Sequence, residues 1–243
     1  ELRKELEGRK RLSALGEMAG GLAHQLRNAM GAISGYGTLT KKALPQSDVA
    51  ESHINALLEE TRQADQLIRR FLSFARPLEC TPQIMAIDPL IREIAESFRV
   101  RADFAAIDLC ATLNCARQVA IDPLLFKQAL GNLIENAALA YPGRQGSVTV
   151  TTIPRGNEIA IEVIDSGCGI PQEKLEQVFT PFYSSRPDGT GLGLPLAARI
   201  VEMHHGGLAL TSQIGRGTTA TILLPTAAAL NAPTPSLESA TIS

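Results

Sequence analysis

The sequence is short of aromatic side chains, of cysteine and of charge of one sign. Tryptophan is absent, and aromatic residues make up only 4% of 243 residues. A core must therefore be assembled from Leu, Ile, Val and Ala, which suits closely packed helices. Four cysteines occur, Cys80, Cys110, Cys115 and Cys168, with no C-x-x-C pair and no histidine at zinc-finger spacing. That excludes a zinc finger and a disulfide scaffold, and it suits free thiols in a reducing compartment. No run of about 18 apolar residues is present, so no membrane span is predicted, and no signal peptide is visible. Lys and Arg number 23 against 25 Asp and Glu, a net charge of −2, which excludes a global pull toward nucleic acid or an anionic membrane. The chain opens on Glu1 instead of Met and is read as a piece of a longer protein. Its length suits one large or two modest domains, at about 100–200 residues each.

What is present falls into two textures. Leu12, Leu15, Ala19, Leu22, Leu26, Ala29, Ile33, Tyr36 and Thr40 alternate spacings of three and four, a heptad seam that predicts a long helix packed lengthwise on another. Pro45 to Asp48 breaks it, and Ile54, Leu57, Thr61, Ala64, Ile68, Phe71 and Ala75 form a second seam that Pro77 ends. A lone helical hairpin cannot enclose a core. Two hairpins can, so the pattern predicts a homodimer built on a four-helix bundle.

Beyond Pro77 the pattern turns mixed α/β. Strands are expected at Ile84 to Ile87, Ile107 to Leu113, Gln118 to Ile121, Val148 to Ile153, Glu158 to Asp165, Leu208 to Ser212 and Thr218 to Leu224. Helices are expected from Pro89 to Phe104, from Asp122-Pro123 to about Leu139, and from Gly191 to His205; the Asp-Pro pair reads as an N-cap followed by proline at the first helical position. The boundaries implied are a helical domain over 1–76, a linker over 77–81, an α/β domain over 82–225 and a disordered tail over 226–243, rich in Ala, Pro, Ser and Thr.

Four constellations carry chemistry. Gly189-Thr190-Gly191-Leu192-Gly193-Leu194 opens a helix, and glycines at a helix N-terminus let backbone N–H groups approach a phosphate. Asp165-Ser166-Gly167-Cys168-Gly169-Ile170 ends a strand; the Asp165 carboxylate beside glycines can accept from an exocyclic amine, although taken alone it is an Asx-turn. Asn132 and Asn136 share a helix face, and paired amides near phosphates offer oxygen donors to Mg²⁺. Glu135, beside them, is placed to orient a water or a ligand, or is a solvated acid. His24 lies two residues from both Leu22 and Leu26, roughly 200° around the helix from each. It is therefore exposed, and a neutral imidazole is a competent nucleophile.

Together these elements resemble the bacterial sensor histidine kinases of two-component systems over about residues 10–225. His24 with Leu26-Arg27-Asn28 resembles the phosphoacceptor motif, Asn132 to Ala137 the N box, Asp165 to Ile170 and Gly189 to Leu194 the two glycine boxes, Phe179-Thr180-Pro181-Phe182-Tyr183 the F box, and Gly215-Arg216-Gly217-Thr218 the last glycine element. The resemblance implies a dimeric helical hairpin followed by an ATP-binding α/β sandwich of the gyrase, Hsp90, histidine kinase and MutL type. Asp165 would bind the adenine amine, Asn132 and Asn136 would hold Mg²⁺ and phosphates, and Tyr183 to Gly189 would be the ATP lid, with Thr218 at the nucleotide. The short lid resembles that of nitrogen-regulation and flagellar kinases, which implies a response regulator of the sigma-54-dependent activator class. Localisation is expected to be cytoplasmic.

Departures from the family pattern sharpen the expectation. Gln25 replaces the acid that follows the phosphoacceptor and cannot accept its proton, so histidine phosphorylation is expected to be slow or to use another base. Ala29 replaces a proline, which weakens the expected helix bend. Asn28 matches the residue that positions a water for dephosphorylating the partner. Arg186 stands where such kinases often carry Lys, and its charge would offset that of the transferred phosphoryl group. Two rivals are a nucleotide-binding scaffold without catalysis, or with phosphatase activity dominant, which rests on Gln25, and a Ser/Thr kinase of the same nucleotide fold, which the histidine-bearing hairpin disfavours.

Overall fold

The structure is a computed structural model and describes residues 30–42, 48–75, 78–186 and 189–230. The chain divides into two compact units between Glu79 and Cys80. His24, Gln25 and Asn28 lie outside the described residues.

In the first unit, helix α1 is described over 30–42 and is followed by α2, Asp48–Ala75. The two run antiparallel. Lys41 Nζ donates to Asn55 Oδ1 at 2.9 Å and pairs with Glu51 at 3.0 Å, while Gly37 lies against Leu57 and Leu58. A Cβ on Gly37 would come within 3.0 Å of Leu58 Cδ2, so glycine lets the helices approach here. Ile33, Tyr36, Leu39 and Leu57 remain exposed. Among the described residues no helix is long and apolar enough to cross a membrane.

The second unit is a two-layer α/β sandwich. Its elements are β1 (Gln83–Ala86), α3 (Ile87–Arg99), β2 (Ile107–Leu113), β3 (Gln118–Ile121), α4 (Pro123–Leu139), β4 (Gly146–Arg155), β5 (Glu158–Asp165), α5 (Gly193–Met203), β6 (Gly207–Gln213), β7 (Gly217–Pro225) and α6 (Ala227–Leu230). The main sheet has the order β2-β4-β5-β7-β6, with β2 parallel to β4 and every other pair antiparallel; β1 and β3 form a separate antiparallel pair. Alternation sends Val148 and Val150, Ile159, Ile161 and Val163, and Ala220, Ile222 and Leu224 to one face. There α4 packs on β4, β5 and α5, and α3 on β2. Phe126, Leu130, Leu133, Ile134 and Ile200 complete the core.

Several expected boundaries move. Ile87 is fully buried and starts α3 in place of ending a strand, because Pro89 is tolerated in a first helical turn. The same helix ends at Arg99, not Phe104. Phe104 follows in a 3₁₀ turn and is buried edge-on against Phe98, with centroids 5.0 Å apart, so its apolar character reflects tertiary packing. Pro154 continues β4 past the last residue paired with β2, on a flank where no neighbour needs its missing N–H. Helix α5 starts at Gly193 because Gly191 has φ +63°. The tail expected to be disordered from Thr226 is ordered to Leu230: the Thr226 N–H donates to Asn157 O at 2.9 Å, its hydroxyl accepts from Ala229, and Ala227 is buried.

The C-terminus of α5 carries strain. Gly206 N–H bonds Val201 O and His205 N–H bonds Glu202 O, the paired closure that places its C′ residue in the left-handed region. That residue is His205, φ +58°. Glycine meets no Cβ penalty there, so His205→Gly is expected to raise stability by about 0.5–1 kcal/mol, measured as the urea midpoint shift at constant m-value.

Candidate active site

The candidate residues lie along α4, at the end of β5 and at the starts of β7 and α5. Helix α4 starts where the Asp122 side chain accepts from the Leu124 and Leu125 amides at 3.0 and 3.1 Å, an N-cap as expected from the sequence. The other carboxylate oxygen accepts from the Thr81 amide and hydroxyl at 3.1 and 3.0 Å. The Asp122 N–H donates to Nε2 of buried His204, whose Nδ1 lies 2.7 Å from Ile200 O. Since Nε2 accepts, the proton sits on Nδ1 and donates to that carbonyl. Burial pushes the Asp122 carboxyl up, yet the hydrogen bonds from Leu125, Thr81 and Leu124 outweigh it and hold it below the ordinary value.

Two turns into α4, Asn132 lies against the first turn of α5: a Cβ on Gly193 would sit 3.5 Å from Asn132 Oδ1. The N box and the second glycine box are thus brought together. Asn132 Nδ2 is buried without a hydrogen-bond partner, so one amide keeps polar capacity beside the helix end. Asn136 is half-buried one turn on. Glu135 turns elsewhere. It pairs with Arg101 at 2.7 Å, and that guanidinium lies over the Phe98 and Phe104 rings at 4.7 and 5.0 Å. This pair clamps the end of α3 onto α4.

Asp165 ends β5, is 7% exposed, and accepts from Gly167 N–H at 2.8 Å. Burial raises its carboxyl above the ordinary value; the Gly167 and Thr218 amides and the Arg186 charge act in the opposite direction. Thr218 is its cross-strand neighbour, and the Thr218 hydroxyl lies 2.8 Å from Ser212 Oγ, which accepts from Ile170 N–H. The Arg186 charge is therefore felt at the Asp165 end of the site.

The glycines have specific steric duties. A Cβ on Gly167 would come within 2.5 Å of Ala140, and one on Gly169 (φ +71°) would strike the Gln213 carbonyl. Gly191 packs under the F box, where Phe182 N–H donates to Gly191 O at 3.0 Å, and Phe182 itself has φ +68°. Gly189 lies against Ser184, and Leu192 N–H reaches Thr190 Oγ1 at 3.4 Å. Buried Leu192 precedes α5 without a side-chain cap, and half-buried Leu194 lies in its first turn. Pro195 has no N–H, so this turn presents the amides of Gly193 and Leu194, with no side-chain cap from Leu192. An open cavity of about 480 Å³ also borders Asp165 and Thr218. Its walls Ile164, Thr211 and Thr219 alternate onto the sheet face away from the helices, so it is not the α4–α5 cleft.

Residues 14–79 match the His Kinase A phospho-acceptor domain, and residues 121–228 match the histidine kinase-, DNA gyrase B- and HSP90-like ATPase family. The chain belongs to the sensor histidine kinases. Sensor histidine kinase ZraS of Escherichia coli K12 is 32% identical over 92% of this chain and 48% of its own length. The chain thus spans about half the length of the curated relatives it matches. The solved catalytic domain of histidine kinase ThkA is 30% identical, covering 61% of this chain and 96% of that one, TM-score 0.53. A structure of ThkA in complex with response regulator protein TrrA aligns at TM-score 0.66 with 27% identity, over 92% of this chain and 65% of that one. The second unit of this sensor histidine kinase chain accordingly carries the ATP-binding domain of the family.

Asp165 sets a pH dependence. Its folded pKa lies above the unfolded value, so its burial costs stability at neutral pH, and that cost is relieved as pH falls through the raised value. For a nucleotide base bound to the ionised carboxylate, as the family resemblance implies, the dependence would run the other way. Affinity for ADP is expected to fall on acidification before ordinary carboxylates titrate, and Asp165→Asn is expected to bind about 10-fold or more weakly and to lose this component, measured by titration calorimetry between pH 7 and 5.

Proposed function

We propose that this chain is a kinase core in which ATP held by the second unit phosphorylates His24, and from which an aspartate of a response regulator then takes the phosphoryl group. The observation that carries the reading is the packing of Asn132 against the first turn of α5, which has no side-chain cap, with Asp165 ending β5 on the sheet face that α4 covers, on a chain whose residues 14–79, including His24, match a phospho-acceptor domain. In the transfer, an imidazole nitrogen of His24 forms a bond to the γ-phosphorus, the bond to the bridging oxygen breaks, and ADP departs. The imidazole N–H proton must leave. Gln25 has no basic site for it, so its amide oxygen would orient the ring and an outside base or water would accept the proton.

Asn132 and Asn136 would offer Mg²⁺ their amide oxygens, which are hard donors, while the unpaired Asn132 Nδ2 is an N–H donor suited to a phosphate oxygen. When bound, Mg²⁺ would offset phosphate charge. Arg186 would add a cation from the lid. The exposed Ile33, Tyr36, Leu39 and Leu57 support a homodimer through the hairpin. The short lid supports a regulator of the sigma-54-dependent activator class. The likeness to a kinase solved with its response regulator supports a receiver domain as partner.

Incubation with γ-labelled ATP is expected to leave an acid-labile label on the wild-type chain and none on His24→Ala. Gln25→Glu, which restores a proton acceptor, is expected to raise the labelling rate about tenfold or more. No label on wild type would favour the scaffold reading, and an unchanged or lower rate in Gln25→Glu would remove Gln25 from the explanation. Asn28 would position the water that dephosphorylates the regulator. Asn28→Ala is expected to keep histidine labelling while slowing loss of label from the phosphorylated regulator; an unchanged decay would sink that role.

A further inference from the structure

Tyr141 follows the end of α4 and lies outside every motif that marks the nucleotide site. Its hydroxyl donates to Ser147 O at 2.6 Å and accepts from Ser166 N–H at 2.7 Å. Ser147 precedes Val148, the residue of β4 paired with Asp165, and Ser166 follows Asp165 in the first glycine box. One phenol therefore joins the peptide leaving Asp165 to the strand that flanks it. The aromatic ring is seated by a missing side chain, because a Cβ on Gly146 would run into its edge carbons. A neighbouring contact acts in the same sense: Cys168 N–H donates to Ala140 O at 3.0 Å, over the position where Gly167 has no Cβ.

We propose that Tyr141 is a positioning residue for nucleotide binding, holding the Asp165–Ser166 peptide so that the Asp165 carboxylate meets the base. The proposal rests on the ATP-binding reading of this site. Ser166 is exposed, so without the phenol its N–H would bond water and the peptide would no longer be tied to β4. Binding would then have to order the loop, a cost that appears as lost affinity. The phenol is at the base end, remote in sequence from the lid and the α5 amides. Its loss should thus weaken ADP and ATP by the same factor and leave the phosphoryl-transfer step alone.

Tyr141→Phe keeps the ring and removes only the hydroxyl. The expected result is an increase of about 3–10-fold in Kd for ADP and in KM for ATP. The maximal rate of His24 labelling should be unchanged, and the thermal midpoint without nucleotide should stay within about 2 °C. Gly146→Ala, which displaces the ring with the hydroxyl intact, should reproduce the affinity loss. Wild-type affinity in Tyr141→Phe, or a loss confined to the maximal rate, would overturn the proposal. So would a lowered midpoint large enough to account for the weaker binding. A wild-type chain that binds no nucleotide would overturn the site reading itself; binding by wild type with no change in Tyr141→Phe would overturn the role of Tyr141 alone.

Discussion

The carboxylate of Asp122 and its own backbone N–H together tie three segments that must stay in register. One oxygen caps α4, the other takes the Thr81 amide and hydroxyl, and the N–H goes to His204 at the end of α5. The helix that carries Asn132 and Asn136, the helix whose start faces Asn132, and the segment by which the chain enters the second unit are thus held at a single residue. Its ionised form is favoured by the fold, so the stabilisation is complete above the unfolded carboxylate pKa and is lost only as pH falls through the lower folded value. Cys80 lies 3.5 Å from His204 Nε2, and burial, then the Asp122 charge, push its thiol up. The thiol remains protonated beside this network.

With α4 and α5 fixed, the loops between them are shaped by what cannot fit. The glycines of the two boxes invite the reading that they make room for phosphate. Several instead make room for protein. Gly167 sits on Ala140, Gly169 on the Gln213 carbonyl, and Gly191 on the F-box backbone. Gly193, which opens α5, meets no such obstacle: the atoms nearest a Cβ there belong to Asn132, at 3.5 Å or more. The close approach of the F box to the second glycine box leaves both Phe182 and Gly191 in the left-handed region. A phenylalanine accepts that conformation at some cost, here with its N–H bonded to Gly191 O.

Much of this was legible locally. The Asp-Pro start of α4 and its end at Leu139 follow from capping rules and apolar spacing, as do β2, β3 and β5, whose observed limits match the expected ones. What was not legible depends on partners distant in sequence. Thr81 and His204 stand 41 and 82 residues from Asp122, so its role as a cap could be read and its role as a tie could not. Glu135, between two asparagines, could be read as an orienter of a water or ligand or as a solvated acid; its pairing with Arg101, 34 residues earlier, could not be read at all. Phe104 extended an apolar pattern that belongs to a turn packed on α3, not to the helix. Gly146 and Tyr141 each look unremarkable; only their contact gives either a meaning.

The two units are built to different tolerances, and the sequence composition explains why. In the second unit, one face of α4 and the inner sheet face are buried, and the Asp165 carboxylate is tolerated there with backbone amides and the Arg186 charge opposing part of its desolvation. In the hairpin, by contrast, the described seam keeps Tyr36 and Leu57 exposed and brings α1 to α2 through Gly37. A chain with no tryptophan and few aromatics cannot cover such a seam with a few large side chains. It must either present the stripe to a like surface or carry apolar area in water, at roughly 25 cal/mol for each Å² left uncovered. The scarcity with which the sequence opens thus argues for the same arrangement as the heptads do: a hairpin whose apolar stripe is completed by a second copy.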